Sequence, residues 1–217
     1  DHNVYGIILI GTSFTAEHKE RLKHLSVPLV ILAQRLDGYS CVYSDDYHAS
    51  LDLTSRLAKT GHIFGYISAE SRDEAVGRNR KKGFDDGLSQ AGQEHAPRYY
   101  AEAAFSMESG YQMTKKLFTD HPDIDTLLCA TDTIASGALR YFHEQEIPVP
   151  EQVQIAGFGD SSIARATTPT LTTAHFFYEE AGSEAGKILL EMMQEKEHPL
   201  NRELKLGFST IVRASTR

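Results

Sequence analysis

This sequence is short of several things, and each shortage removes a class of protein. It holds two cysteines, Cys41 and Cys129, in unrelated contexts and without a CxxC. No disulfide framework is expected, and a reducing compartment fits weakly. Its ten histidines form no HExxH and no paired ligand spacing, so neither a metal nor another cofactor is expected. There is no G-x-S-x-G for nucleophilic catalysis, and Gly157-Phe158-Gly159-Asp160 lacks the third glycine and the GK[ST] of phosphate loops. No apolar run approaches the roughly 20 residues of a membrane span. Basic residues are in deficit, 22 Lys plus Arg against 30 Asp plus Glu, for a formal charge of −8. Such a surface is poorly suited to neutralising nucleic-acid phosphates. No solenoid repeat and no signal peptide are visible, and the chain opens one turn before what reads as a buried strand. A piece of a longer protein is therefore expected.

What is present is ordinary globular composition, 41% apolar and 24% charged over 217 residues. Val4–Ile10, Pro28–Leu32, Cys41–Tyr43, His62–Ser68, Tyr99–Ala103, Thr126–Ala130 and Val153–Phe158 read as short buried strands. Helical patterns fall between them. Ala16–Leu25 is capped by Thr15, and Tyr47–Lys59 stops at Gly61. Ala75–Ala91, Met107–Phe118 behind Ser106, Thr133–Gln145 capped by Asp132, and Glu179–Gln194 complete the set. Leu171–Phe176 and Leu204–Val212 read as extended. This alternation predicts βαβ units and parallel sheets. The loop Gln93–Arg98, with Pro97, marks a candidate boundary between residues 1–97 and 98–217.

In parallel sheets, ligands gather beyond the carboxyl ends of the strands. That draws attention to Gly11–Ser13, Ser44–Tyr47, Ala69–Arg80, Phe105–Ser106, Thr131–Asp132 and Gly159–Ser161, with Ser13 the candidate in the first of these. Asp45 reads first as a helix cap and Asp46 as either a cap or a ligand for sugar hydroxyls, with acid–base work the other use of paired carboxylates. Arg80 differs from its neighbours Arg78, Lys81 and Lys82. Its planar fork suits vicinal hydroxyls, whereas a run of lysines is ordinarily a solvated face. Phe105 sits in a post-strand loop, where an aromatic either packs or covers a sugar ring.

Taken in order, Gly61-His62, Asp73–Phe84 (DEAVGRNRKKGF), Phe105–Tyr111 (FSMESGY), Ala130–Leu139 (ATDTIASGAL), Val149–Asp160 (VPEQVQIAGFGD), Thr168–Thr173 (TPTLTT) and Val212–Thr216 (VRAST) carry a resemblance. They resemble the effector-binding core of LacI/GalR-family transcriptional repressors over essentially the whole chain. In style they are nearest to Gram-positive sucrose operon repressors. The resemblance implies an α/β fold of two similar Rossmann-like parallel-sheet subdomains around a cleft, periplasmic-binding-protein-like. The N-terminal subdomain would be incomplete here, and the helix-turn-helix has no counterpart.

Carried over residue by residue, the resemblance makes Arg80 an effector clamp and Phe105 a ring that packs on the ligand. Thr131 and Asp132 stand for an Asn-Asp pair. Gly159 replaces a frequent ligand Asp and leaves Asp160. Asp46 and Tyr47 face the ligand from the other subdomain. The family implies a cytoplasmic homodimer that binds a sugar effector, touches operator DNA only through the missing helix-turn-helix, and has no membrane partner. Two other functions share parts of the pattern: a secreted sugar-binding protein of a transporter, and a sugar hydrolase using Asp45, Asp46 or Asp132. A catabolite-control or trehalose-type regulator would differ only within the family.

Overall fold

The computed structural model describes residues 4–11, 13–194 and 200–217. Thr12 lies outside the described residues, as do the first three residues. The chain forms two units, 1–45 with 177–207 and 46–176 with 208–217. The chain therefore passes from one unit to the other three times. The proposed division at 97/98 falls inside the larger unit. There β4 (Phe64–Ser68) pairs in parallel with β5 (Arg98–Glu102), so Gln93–Pro97 is an ordinary strand-entry loop rather than a linker.

In the smaller unit, β1 (Ile7–Ile10), β2 (Leu29–Leu32), β3 (Ser40–Ser44) and β9 (Glu203–Leu206) make a parallel sheet in that order. Alternation sorts its side chains between two faces. Val30 and Val42 pack with Ala181, Ala185 and Ile188 of α7 (Tyr178–Gln194). Leu29, Ile31 and Cys41 face the other way, toward Phe14 and Leu22 at α1 (Ala16–Lys23). Thr15 caps α1 as expected, its Oγ1 accepting from the His18 amide at 3.1 Å.

The larger unit has six strands in the order β10-β8-β7-β6-β4-β5. The remaining members are β6 (Thr126–Cys129), β7 (Gln154–Phe158), β8 (Thr172–Phe176) and β10 (Phe208–Ile211). Only the β10–β8 pair is antiparallel. Alternation again builds two cores. Ile67, Leu127, Cys129 and Ile155 meet α4 (Met107–Asp120) and α5 (Asp132–Glu144). Phe64, Tyr66, Leu128 and Ala156 meet α2 (Asp46–Leu57) and α3 (Arg80–Gln90).

Three expectations change. The run Leu204–Val212 is not one strand: it divides at Gly207 between the two sheets, as β9 and β10. Helix α3 is preceded by a π-helical segment, Glu74–Asn79, in which the Arg80 amide donates to the Ala75 carbonyl five residues back. A five-residue helix α6 (Ser162–Ala166), too short to show a period, lies between β7 and β8.

Glycines in α7 offer a stability test. A Cβ at Gly182 or Gly186 would meet no atom within 4 Å, and neither residue has a positive φ. Gly182→Ala and Gly186→Ala are each expected to add about 0.5–1 kcal/mol, through lower unfolded-chain entropy. Urea unfolding checks this, and a loss at either position would mean that α7 packs more tightly there.

Candidate functional site on the larger unit

Five of the larger unit's strands run parallel, so their carboxyl ends lie along one edge of the sheet. The residues that follow β4, β6 and β7 bring Arg80, Ala130–Asp132 and Gly159–Ser161 to that edge. Arg80 is 5% exposed. Its Nε donates to Asp46 Oδ1 at 2.7 Å, Nη2 lies 2.7 Å from the same oxygen, and Nη1 donates to the Ala130 carbonyl at 2.5 Å. The guanidinium also lies 4.9 Å from the Phe158 ring centre and 5.0 Å from that of Phe176. Ser50 Oγ holds the backbone by donating to the Arg80 carbonyl at 2.6 Å. The guanidinium is thus held in one orientation by a carboxylate, a carbonyl and two rings.

Phe158 and Phe176 were not among the expected site residues. Their signal is positional, since each is the last residue of its strand, and β7 and β8 are parallel neighbours.

A second group surrounds Asp132, which is 2% exposed. Its Oδ1 accepts from Thr173 Oγ1 at 2.6 Å and its Oδ2 from the Ser161 amide at 2.8 Å. Burial pushes its carboxyl above the ordinary range, and the Asp160 charge adds to this, while the bonds from Thr173 and Ser161 pull it back. Gly157 makes room for it. A Cβ there would stand 2.7 Å from Asp132 Oδ1. The cap of α5 is Thr131, not Asp132: Thr131 Oγ1 accepts from the Ile134 amide at 3.2 Å. That leaves the Asp132 carboxylate for the Gly159–Ser161 loop. Ser161 Oγ is buried with no hydrogen-bond partner.

The other expected residues are placed as follows. Phe105 is half-exposed, in the loop between β5 and α4. Asp46 and Tyr47 do not come from the other unit: both lie in the same unit as Arg80, at the start of α2, and Tyr47 is engaged along α3, where its hydroxyl donates to Asp86 Oδ2 at 2.8 Å and the Lys82 ammonium lies over its ring. Lys81 and Lys82 pair with Asp85 and Asp86 as a solvated helix face. Asp160 binds Arg213 and His175. Ser13 belongs to the smaller unit, beside a pocket of about 440 Å³ lined by Gly11, Phe14, His18 and Arg21. The adjacent carboxylates are not offered as an acid–base pair, because Asp45 bonds Lys205 and Asp46 bonds Arg80. Among the described residues, no group of three or more His, Cys, Asp or Glu side chains is placed to hold a metal, and no helix is long and apolar enough to cross a membrane.

Asp73 offers a pH test. It begins the π-helical segment, and its Oδ1 accepts from the Val76 amide at 2.7 Å while its buried Oδ2 has no hydrogen-bond partner. Burial pushes its carboxyl above the ordinary value of 3.8. A raised folded-state pKa means that the folded chain holds the proton more tightly. Ionisation then costs stability as pH rises from about 3.8 through the raised value. Asp73→Ser keeps a capping oxygen and removes that cost. It is expected to be neutral to about 1 kcal/mol stabilising at pH 7, with the difference shrinking toward pH 3.5. Urea titrations at the two pH values check this.

Residues 54–216 match the periplasmic binding protein-like domain family. The chain is 31% identical over 198 residues to the HTH-type transcriptional regulator TreR of Escherichia coli strain K12, covering 91% of this chain and 60% of that protein. It is 27% identical over 194 residues to the sucrose operon repressor of Staphylococcus xylosus, covering 89% and 59%. The structure of the transcription regulator GntR from Chromobacterium violaceum is 30% identical with a TM-score of 0.85, covering 98% of this chain and 78% of that one. That of the transcription regulator CcpA of Lactococcus lactis is 25% identical with a TM-score of 0.87, covering 99% and 79%. These relatives bear the names of regulators, not of enzymes. The chain spans about 60% of the length of these two curated relatives.

Proposed function

Because this chain belongs to the periplasmic binding protein-like family, in the form of a LacI/GalR-type effector-binding core, we propose that it is the sugar-sensing part of a transcriptional repressor. The observation that carries the reading is the Arg80 fork packed on Phe158 and Phe176, at the same strand-end edge that carries the hydrogen-bonded Asp132. Carbohydrates present vicinal hydroxyls on one edge and apolar C–H on the faces. A planar donor set with a carboxylate answers the first, and an exposed aromatic ring answers the second. Phe105 supplies the exposed ring, since Phe158 and Phe176 are buried against the guanidinium.

A sugar-utilisation operon, such as one for sucrose, is the control target this reading favours, in keeping with the 27% likeness to a sucrose operon repressor. Operator contact belongs to a helix-turn-helix outside these residues, and the working form is a cytoplasmic homodimer. Sugar binding changes operator affinity only through a difference in affinity between the DNA-bound and released states.

The test is a thermal-shift panel of sucrose, trehalose, maltose, glucose, fructose and their 6-phosphates. A ligand at about 100 times its dissociation constant adds roughly 2.7 kcal/mol, a readily seen rise. A selective rise with one sugar supports the reading and names the effector. A protein that melts identically in all of them overturns it.

A further inference from the structure

We propose that Arg213 is a positioning residue for the effector site: it clips the Gly159–Ser161 loop into the shape that presents Ser161 and Asp132. The proposal rests on the sugar-site reading above, and it concerns a residue outside the Arg80 cluster. Asp160 has φ +48°, in the left-handed region that a side chain other than glycine seldom adopts. Such a conformation persists only where its surroundings over-determine it. Here they do so from both sides. The Gly159 amide donates to the Ala174 carbonyl at 2.8 Å and the Ser161 amide to Asp132 Oδ2 at 2.8 Å. The Asp160 amide reaches Thr173 Oγ1 at 3.3 Å.

Three side chains meet the Asp160 carboxylate, and exposure ranks them. Arg165 is 60% exposed and 3.5 Å away, and His175 is 37% exposed at 3.2 Å. Arg213 is 15% exposed, and its Nη2 donates to Oδ1. Water screens the first two far more than the third, so Arg213 is the dominant partner.

Arg213 is itself held at the opposite end of β8. Its Nη1 donates to the Leu171 carbonyl at 2.8 Å, and its backbone amide to Thr172 Oγ1 at 2.8 Å. Two residues on, Ser215 fastens the same segment. Its Oγ donates to the Ile155 carbonyl at 2.6 Å and accepts from the Thr172 amide at 2.8 Å. Its carbonyl takes the Ile155 amide at 2.9 Å. The final residues therefore form a clip across β7 and β8, the two strands that end in Phe158 and Phe176. Arg213 extends the clip to the loop that fixes Asp132.

The test has two arms, run on the full-length protein. In the first, amide hydrogen exchange is followed without ligand. Arg213→Ala is expected to speed exchange across residues 157–166 by about tenfold or more, with α2 unchanged, and Arg213→Lys to restore most of the protection. Uniform acceleration everywhere, or none in the loop, overturns the proposal. Arg213→Lys, which keeps the charge on Asp160, serves if the alanine variant does not fold.

In the second arm, sucrose affinity is measured by calorimetry for Arg213→Ala, Asp160→Ala and the double variant. Each single change is expected to weaken binding by about tenfold, and the double by no more than either alone, since both act through one contact. An additive loss near a hundredfold, or no loss at Arg213, overturns the proposal. If the unaltered protein fails to bind sucrose, the sucrose reading falls, while the exchange arm still decides the role of Arg213.

Discussion

Replacing Arg80 with Ala should abolish the sugar-induced rise in melting temperature and lower the unfolding free energy by about 3–5 kcal/mol. The two losses have different origins. Loss of response follows from removing the donor fork. Loss of stability follows from Asp46, which is 5% exposed and takes two guanidinium contacts on a single oxygen. Without its partner it becomes a buried, uncompensated carboxylate. The Ala130 carbonyl loses its donor in the same step, and Phe158 and Phe176 lose the cation packed between them.

A cycle with Asp46→Ala separates the origins. The double variant is expected to be more stable than the sum of the single losses predicts, by about 2 kcal/mol or more, because neither charge is then stranded. Its sugar response should remain absent, because the stability is recovered without the fork. Urea unfolding with the sucrose and trehalose melts reads both quantities. An Arg80→Ala protein that keeps its sugar shift would remove Arg80 from the site.

Period and punctuation made most of the fold legible beforehand. Strands such as Phe64–Ser68 and Thr126–Cys129 are apolar on both faces because both faces are covered, and such runs stand out in a sequence. Caps were legible where one residue type did one job, as at Thr15 and Ser106. They were ambiguous where two capping residues stood together. At Thr131-Asp132 both suit an N-cap, and the choice turned on where the second side chain could go. Asp132 could reach Thr173 and the Ser161 amide, contacts 41 and 29 residues distant in the chain.

The unit boundary was illegible for a similar reason. The chain passes between units after Asp45, Phe176 and Gly207, in the middle of ordinary-looking runs, whereas the loop with the strongest breaker residues lies inside one sheet. Arg80 stood out from its neighbours because a planar fork differs from a run of lysines, and the structure buries it against Asp46 and the Ala130 carbonyl while Lys81 and Lys82 stay solvated. Phe158 and Phe176 were hidden by their likeness to core residues, and their own burial, 2% and 1%, agrees with that likeness. Only the ring-to-guanidinium distances separate them from the core around them.

Gly157→Ala tests whether that packing is as tight as the distances imply. In a strand, exchanging glycine for alanine ordinarily helps, since it restricts the unfolded chain, and the same exchange at Gly182 and Gly186 of α7 is expected to stabilise. At Gly157 the sign should reverse. The added methyl would stand 2.7 Å from Asp132 Oδ1, 3.1 Å from its Cα and 3.2 Å from its backbone nitrogen. Two of those atoms are backbone at the start of α5, so no rotamer change relieves the clash. Either β7 or the first turn of α5 must shift, at an expected cost of about 1–3 kcal/mol in urea unfolding. The shift also pulls Asp132 from Thr173 and from the Ser161 amide, so sugar affinity should fall together with stability. Gly182→Ala should leave sugar affinity untouched. A Gly157→Ala protein as stable and as responsive as the parent would mean that β7 and α5 stand farther apart than these distances, and Asp132 would then lose its claim to a fixed place in the site.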